Sequence, residues 1–144
     1  MSVDPIPANV QRVIPYLMVD SIEAALPFVE AVFGADIIET VPDKDNKIMH
    51  AEIKIGDSMV MFGSREGESV PSMLYVYVAD TDAAYRKAME LGATSLMEPA
   101  DQFYGDRNAG VQDSQGIKWW MATRVENVSP EEMERRSREW ADKK

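Results

Sequence analysis

The chain has no cysteine. That excludes disulfides, thiolate metal sites and cysteine nucleophiles. It has a single histidine, His50. Basic side chains are scarce: 15 Lys and Arg stand against 25 Asp and Glu, a net charge of −10. Such a surface repels phosphate backbones and anionic lipid, so neither nucleic acid nor a membrane is an expected partner. No segment approaches the roughly 18 consecutive apolar residues of a membrane-spanning helix. The first seven residues, Met1 to Pro7, lack the basic region and apolar core of a signal peptide, and a cytosolic location is expected. No Ser–His–Asp set and no phosphate-binding glycine loop is visible. What remains is 144 residues with 45% hydrophobic and 28% charged side chains, enough for one compact domain.

The chain repeats itself. An apolar run from Val13 to Val19 ends at Asp20, and a helical stretch follows that stops at Gly34-Ala35. A second apolar run from Met73 to Val78 ends at Asp80, and a second helical stretch stops at Gly92-Ala93. Asp20 and Asp80 are 60 residues apart, Gly34 and Gly92 are 58 apart, and Met61 and Trp120 are 59 apart. A fixed offset near 60 is the mark of a duplicated supersecondary unit. The expected class is α+β: two tandem βαβββ modules forming a single curved mixed-sheet cup, plus a C-terminal helix. The expected boundaries are an arm over 1–12, a first module over 13–64, a second over 73–125 and a helix over 129–144. The polar stretch 65–71 reads as a linker.

Local signals fill in the elements. Ser21 caps a helix that Gly34 ends, with Pro27 inside it as a kink or a break. Ile37–Val41 reads as a short strand. Met49–Ile55 alternates apolar residues with His50, Glu52 and Lys54, the pattern of a half-buried strand. Met59–Phe62 is apolar throughout and reads as buried on both faces. In the second module Thr81 is the expected cap and Gly92 the stop. Ser95–Met97 is a short strand, Pro99–Asp106 a long loop, and Ala109–Val111 and Ile117–Thr123 the last strands. Ser129, Pro130 and Glu132 form a capping box ahead of the final helix, on which Met133 and Trp140 share a face that reads as a docking seam.

Several phrases together resemble the vicinal-oxygen-chelate superfamily of glyoxalases, extradiol dioxygenases and bleomycin- and fosfomycin-resistance proteins. They are Pro15-Tyr-Leu-Met-Val-Asp20, Phe33-Gly-Ala35, Met49-His-Ala-Glu-Ile53, Ile55-Gly-Asp-Ser58, Gln102-Phe-Tyr-Gly-Asp-Arg107 and Asp113-Ser-Gln-Gly116. Their wording is closest to the PhnB-like subgroup. The resemblance implies a cup in which His and Glu from four strands hold one divalent ion. Carried over by motif, those positions fall on Val13, Met61, Met73 and Trp120. None of the four suits zinc, iron or manganese, which need imidazole or carboxylate. No metal at that site and no cofactor are therefore expected. His50 and Glu52, two apart on one strand face, are a minimal start for a metal elsewhere, with Asp106 and Gln11 as further candidates.

The expected site is an aromatic and apolar cleft between the modules. Val13, Pro15 and Leu17 line it from the first strand, with Met61, Met73, Tyr75, Tyr77 and Trp120 opposite. Trp120 is the expected stacking surface. His50, Gln102, Tyr104, Asp106 and Arg107 are the polar groups that could orient a ligand, an ion pair with Asp106 or another acidic side chain being the favoured alternative for Arg107. The expected ligand is a hydrophobic or aromatic small molecule and the expected assembly a homodimer, as the resemblance implies. Two alternatives stand beside this binding role. One is a lyase, isomerase or transferase with His50 as its acid–base group or with an unrecognised metal site. The other is a cup filled by its own side chains.

Overall fold

A computed structural model describes residues 3–65 and 67–143. Met1, Ser2, Glu66 and Lys144 lie outside the described residues, so the arm, the linker and the last helix are described for their other positions.

The duplication is realised as two modules of one topology. The first holds β1 (Tyr16–Val19), α1 (Ile22–Phe33), β2 (Asp36–Pro42), β3 (Ile48–Ile55) and β4 (Ser58–Ser64), with sheet order β1-β4-β3-β2. The second holds β5 (Ser72–Tyr77), α2 (Thr81–Glu90), β6 (Thr94–Asp101), β7 (Asp106–Gln112) and β8 (Ile117–Arg124), with sheet order β5-β8-β7-β6. The class is α+β. In the first sheet β1 runs parallel to β4, and the other pairs are antiparallel. A final helix, α3 (Pro130–Asp142), follows. Among the described residues, no helix is long and apolar enough to cross a membrane.

Each sheet has one face under its helix and one open face. In the first module α1 lays Ile22, Ala25, Leu26, Phe28 and Val29 against Leu17, Val19, Ala51, Ile53, Val60 and Phe62, all buried. Fully burying a side chain of this size stabilises by about 1.5–3 kcal/mol. In the second module α2 contributes the small residues Ala84 and Ala88. Trp119, Met121, Val111 and Ala109 supply the volume beneath them. Trp119 is 0% exposed, and its indole N–H donates to Asp113 Oδ2 at 2.9 Å. The other oxygen of Asp113 accepts the backbone N–H of Ile117 at 3.0 Å, closing the turn into β8.

The helix ends follow the capping chemistry. Ser21 accepts from the Ala24 N–H, and Gly34, at φ 64°, ends α1 in the left-handed region. There Gly34 N–H reaches Glu30 O and Ala35 N–H reaches Val29 O, which satisfies two orphan carbonyls. Pro27 lies inside α1, which runs on through it as one helix rather than starting afresh. The cap of α2 is Asp80, not Thr81: Asp80 accepts from the Ala83 N–H, and Thr81 is the buried first residue of the helix, bonded to Arg107 O and Thr123 Oγ1. Ser129 caps α3 with Pro130 behind it, as expected. On the face of α3 read as a seam, Met133 is half buried and Trp140 is exposed. The helix has no buried residue, and polar contacts hold it: Arg136 bonds Glu126, Glu132 and the carbonyl of Phe103, while Trp140 rests near the Phe103 ring at 5.7 Å.

Three strand readings also change. The segment 99–105 is not one long loop. β6 continues through Pro99 to Asp101, and its register shifts between Met97 and Ala100, where a bulge accommodates the proline. β7 begins at Asp106 rather than Ala109. Of Met59–Phe62, Met61 is only half buried and belongs to the open face.

Candidate functional site

The first module's open face carries Tyr16, Met18, His50, Glu52, Met61 and Gly63. Pairing register places them there: Tyr16 lies beside Met61, Met18 beside Gly63, Glu52 beside Met61 and His50 beside Gly63. The expected lining by Val13, Pro15 and Leu17 is therefore wrong in phase. Leu17 pairs with Phe62 on the helix side and is buried, while Val13 precedes β1 and is 84% exposed. Gly63 leaves room for its neighbours: a Cβ there would stand 2.7 Å from the Tyr16 ring and 2.9 Å from Met18 Sδ, and those side chains would have to shift.

His50 sits in a short hydrogen-bonded chain. Its Nε2 is 3.1 Å from Glu52 Oε2 and its Nδ1 is 3.1 Å from Tyr16 Oη. A carboxylate accepts and does not donate, so Nε2 carries a hydrogen, and in the neutral imidazole Nδ1 then accepts the tyrosine hydroxyl. Beside this chain is a shallow depression of about 460 Å³ lined by Tyr16, Met18, Met49, His50, Gly63, Ser64, Arg65 and Glu68. Gln11 takes no part in it: its side-chain amide bonds the backbone N–H and carbonyl of Met59, docking the arm along β4.

The second module's open face carries Tyr75 and Tyr77 from β5, Asp106, Asn108 and Gly110 from β7, and Trp120 and Ala122 from β8. The register pairs Gly110 with Trp120 and Asn108 with Ala122. Gly110 is the floor under the tryptophan, since a Cβ there would stand 2.8–2.9 Å from three carbons of the Trp120 ring. Trp120 is half buried, and Met73, Tyr75 and Tyr77 are exposed.

Behind those rings is a buried polar network. Asp106 is 4% exposed and Asn108 2%. Tyr75 and Tyr77 both donate to Asp106 Oδ2, at 2.7 and 2.9 Å. Asn108 Nδ2 donates to the hydroxyls of Tyr75 and Tyr104, and its Oδ1 accepts from Gln102 at 3.1 Å. Desolvation raises the Tyr75 phenol above its ordinary range; the bond to Asp106 adds to the rise and the Asn108 donor opposes it. Tyr75 therefore stays a neutral donor. Tyr104, in the turn before β7, joins this network as a partner of Asn108.

Arg107 does not face this group. It alternates with Asp106 and Asn108 along β7 and so points toward α2. There it grips Asp82 with two bonds, 2.9 and 3.0 Å, and Asp101 with a third at 3.1 Å. The ion pair expected as its alternative role is present, with Asp82 and Asp101 rather than Asp106. Both carboxylate bonds raise the guanidinium further above its ordinary range.

The two modules repeat one device. In each, a tyrosine of the first strand hydrogen-bonds a polar side chain of the third: Tyr16 to His50, and Tyr75 to Asn108. Sequence reasoning missed Tyr16 and Asn108. The Asp106, Asn108, Gly110 alternation would have exposed Asn108 had the strand been started three residues earlier.

The positions that the resemblance assigns to metal ligands do not fit a hard or borderline cation. Val13, Met61, Met73 and Trp120 offer two thioethers, an indole and an aliphatic side chain, where such ions need imidazole or carboxylate. Among the described residues, no group of three or more His, Asp or Glu is gathered where it could hold an ion.

Duplicated βαβββ modules with open sheet faces define a glyoxalase-type fold. Residues 10–121 match the family described as the Glyoxalase/Bleomycin resistance protein/Dioxygenase superfamily, and the chain belongs to it. It is similar to an uncharacterized protein of Mycobacterium bovis, Mb0911c, with 30% identity over 133 residues, 83% of this chain and 88% of that one. Among solved structures it is similar in fold to TioX from Micromonospora sp. ML1, with TM-score 0.67 and 22% identity over 80% of this chain and 99% of that one. It is also similar in fold to a PhnB protein from Bacillus cereus, with TM-score 0.62 and 16% identity over 78% of this chain and 98% of that one.

Proposed function

We propose that this chain is a metal-free small-molecule-binding member of the family, and that its ligand is an aromatic or hydrophobic compound stacked on Trp120. The observation that carries this reading is Trp120 itself. It is a half-exposed ring bedded on a glycine, on a strand next to β5, which carries Met73, Tyr75 and Tyr77, and both tyrosines are fixed by Asp106. An aromatic face of this kind contributes about 0.5–1.5 kcal/mol beyond area burial when a second ring stacks on it. Met73 supplies a deformable wall. Within the family we assign the chain to the PhnB-like subgroup on the wording of its motifs, and we place its work in the cytosol. The experiment is calorimetric titration of chelator-treated protein with planar aromatics such as acridine. Saturable binding without added metal supports the reading. Binding that needs a divalent ion, or none at all, contradicts it.

The working form in this proposal is a homodimer, supported by the exposed Ile37 and Ile38 on the edge strand β2, apolar surface of the kind that interfaces cover. Sedimentation at micromolar concentration is expected to give twice the chain mass. A monomer at every concentration would contradict it.

A second reading is favoured by the Tyr16–His50–Glu52 chain, which could move a proton at Tyr16 Oη beside the depression on the first module. If it does, the native protein exchanges the α-hydrogens of a simple α-hydroxyketone for deuterium in heavy water. His50→Gln should then slow that exchange about 10²–10⁴-fold. Native exchange no faster than buffer removes this reading.

A further inference from the structure

We propose that the face around Trp120 selects planar organic cations, with Asp106 as the group that senses the charge. The inference rests on the reading of that face as a ligand site and adds the ligand's charge to it.

Asp106 is a buried carboxylate without a cation. Its Oδ2 accepts both tyrosine hydroxyls. Its Oδ1 has no hydrogen-bond donor among the described residues, and the residue as a whole is 4% exposed. No Lys, Arg or His among the described residues pairs with it. Arg107, its neighbour in sequence, is committed to Asp82 and Asp101 on the other side of the sheet. Arg124, opposite it in register, is exposed and forms no ion pair among the described residues. Burial of a charge is expensive unless a partner compensates it. Two neutral hydroxyls on one oxygen compensate in part and leave the second oxygen available.

The surroundings suit a positive ligand. The Tyr75 and Tyr77 rings stand edge to face with centroids 5.6 Å apart, and Trp120 offers a third π-face on the same side. Aromatic faces attract cations, tryptophan most strongly. A carboxylate beside several such faces rewards a ligand that is both flat and charged. The net charge of −10 adds a long-range attraction for cations.

The test compares N-methylacridinium with acridine, which has nearly the same shape and is uncharged at about pH 8. Both are titrated calorimetrically into the native protein and into Asp106→Asn, which keeps an acceptor for the tyrosines and removes the charge. The native protein should bind the cation about tenfold more tightly than the neutral ring. Asp106→Asn should bring the affinities for the two probes together, whatever it does to acridine binding itself. Arg124→Gln, an exposed change that does not threaten folding, should tighten the cation alone. Equal binding of the two probes by the native protein overturns the inference and leaves the ligand site standing. A preference that survives in Asp106→Asn, or an Arg124→Gln effect shared by both probes, overturns the role of Asp106. If neither probe binds, the ligand-site reading fails and this inference fails with it.

Discussion

Trp119→Ala is expected to lower the unfolding free energy by about 3–5 kcal/mol, read as a shifted midpoint in urea. The side chain is fully buried under α2, where the helix contributes only the small side chains of Thr81, Ala84 and Ala88 and cannot fill the space left behind. The substitution also removes the indole donor from Asp113, a buried carboxylate that orders the turn into β8. For the same reason Trp119→Phe is not a neutral fluorescence control. It keeps most of the volume but removes that donor, at a cost of about 1–3 kcal/mol. A midpoint for Trp119→Ala within error of the native value would mean that the second module's core is not packed as described.

Trp120→Ala, one residue further on, should behave in the opposite way. The ring lies on the open face over Gly110, so its loss should cost stability of only about 1 kcal/mol. Its loss should remove about 2 kcal/mol of ligand affinity, tenfold or more, as expected for a central aromatic anchor. Intrinsic fluorescence quenching by acridine should fall with it. Adjacent tryptophans on opposite faces of one strand thus divide stability from binding. An unchanged affinity in Trp120→Ala would move the site elsewhere.

The duplicated spacing made the topology legible, because strand, turn and glycine stop recur at nearly one offset and only one βαβββ order satisfies both copies. Cap residues with a single candidate, Ser21 and Ser129, were readable. At Asp80 and Thr81 two capable residues stood side by side, and only backbone geometry distinguishes them. The first strand was misread in phase for a physical reason. Both of its faces are apolar, with Leu17 and Val19 on one and Tyr16 and Met18 on the other, so alternation carries no sign. Trp120 and Tyr75 were readable as open-face residues from the second copy. The side of Arg107 was hidden, because the sequence reads Pro99–Asp106 as a loop and starts the strand at Ala109, and alternation with Asp106 holds only within a strand. The His50–Glu52 pair was readable from its two-residue spacing on one strand, but what joins other elements was not: Asn108 as the hub of Gln102, Tyr75 and Tyr104, and the bond from Tyr16 to His50, are encoded by no local pattern.

The central claim is that ligand meets this chain at Trp120 without a metal. The chain has three tryptophans, so its indole N–H groups give three assignable signals in a nitrogen-labelled spectrum. Acridine added to chelator-treated protein should move the Trp120 signal and leave that of buried Trp119 in place. A Trp120 signal that stays still while binding is saturated, or that moves only after a divalent ion is supplied, would contradict the account.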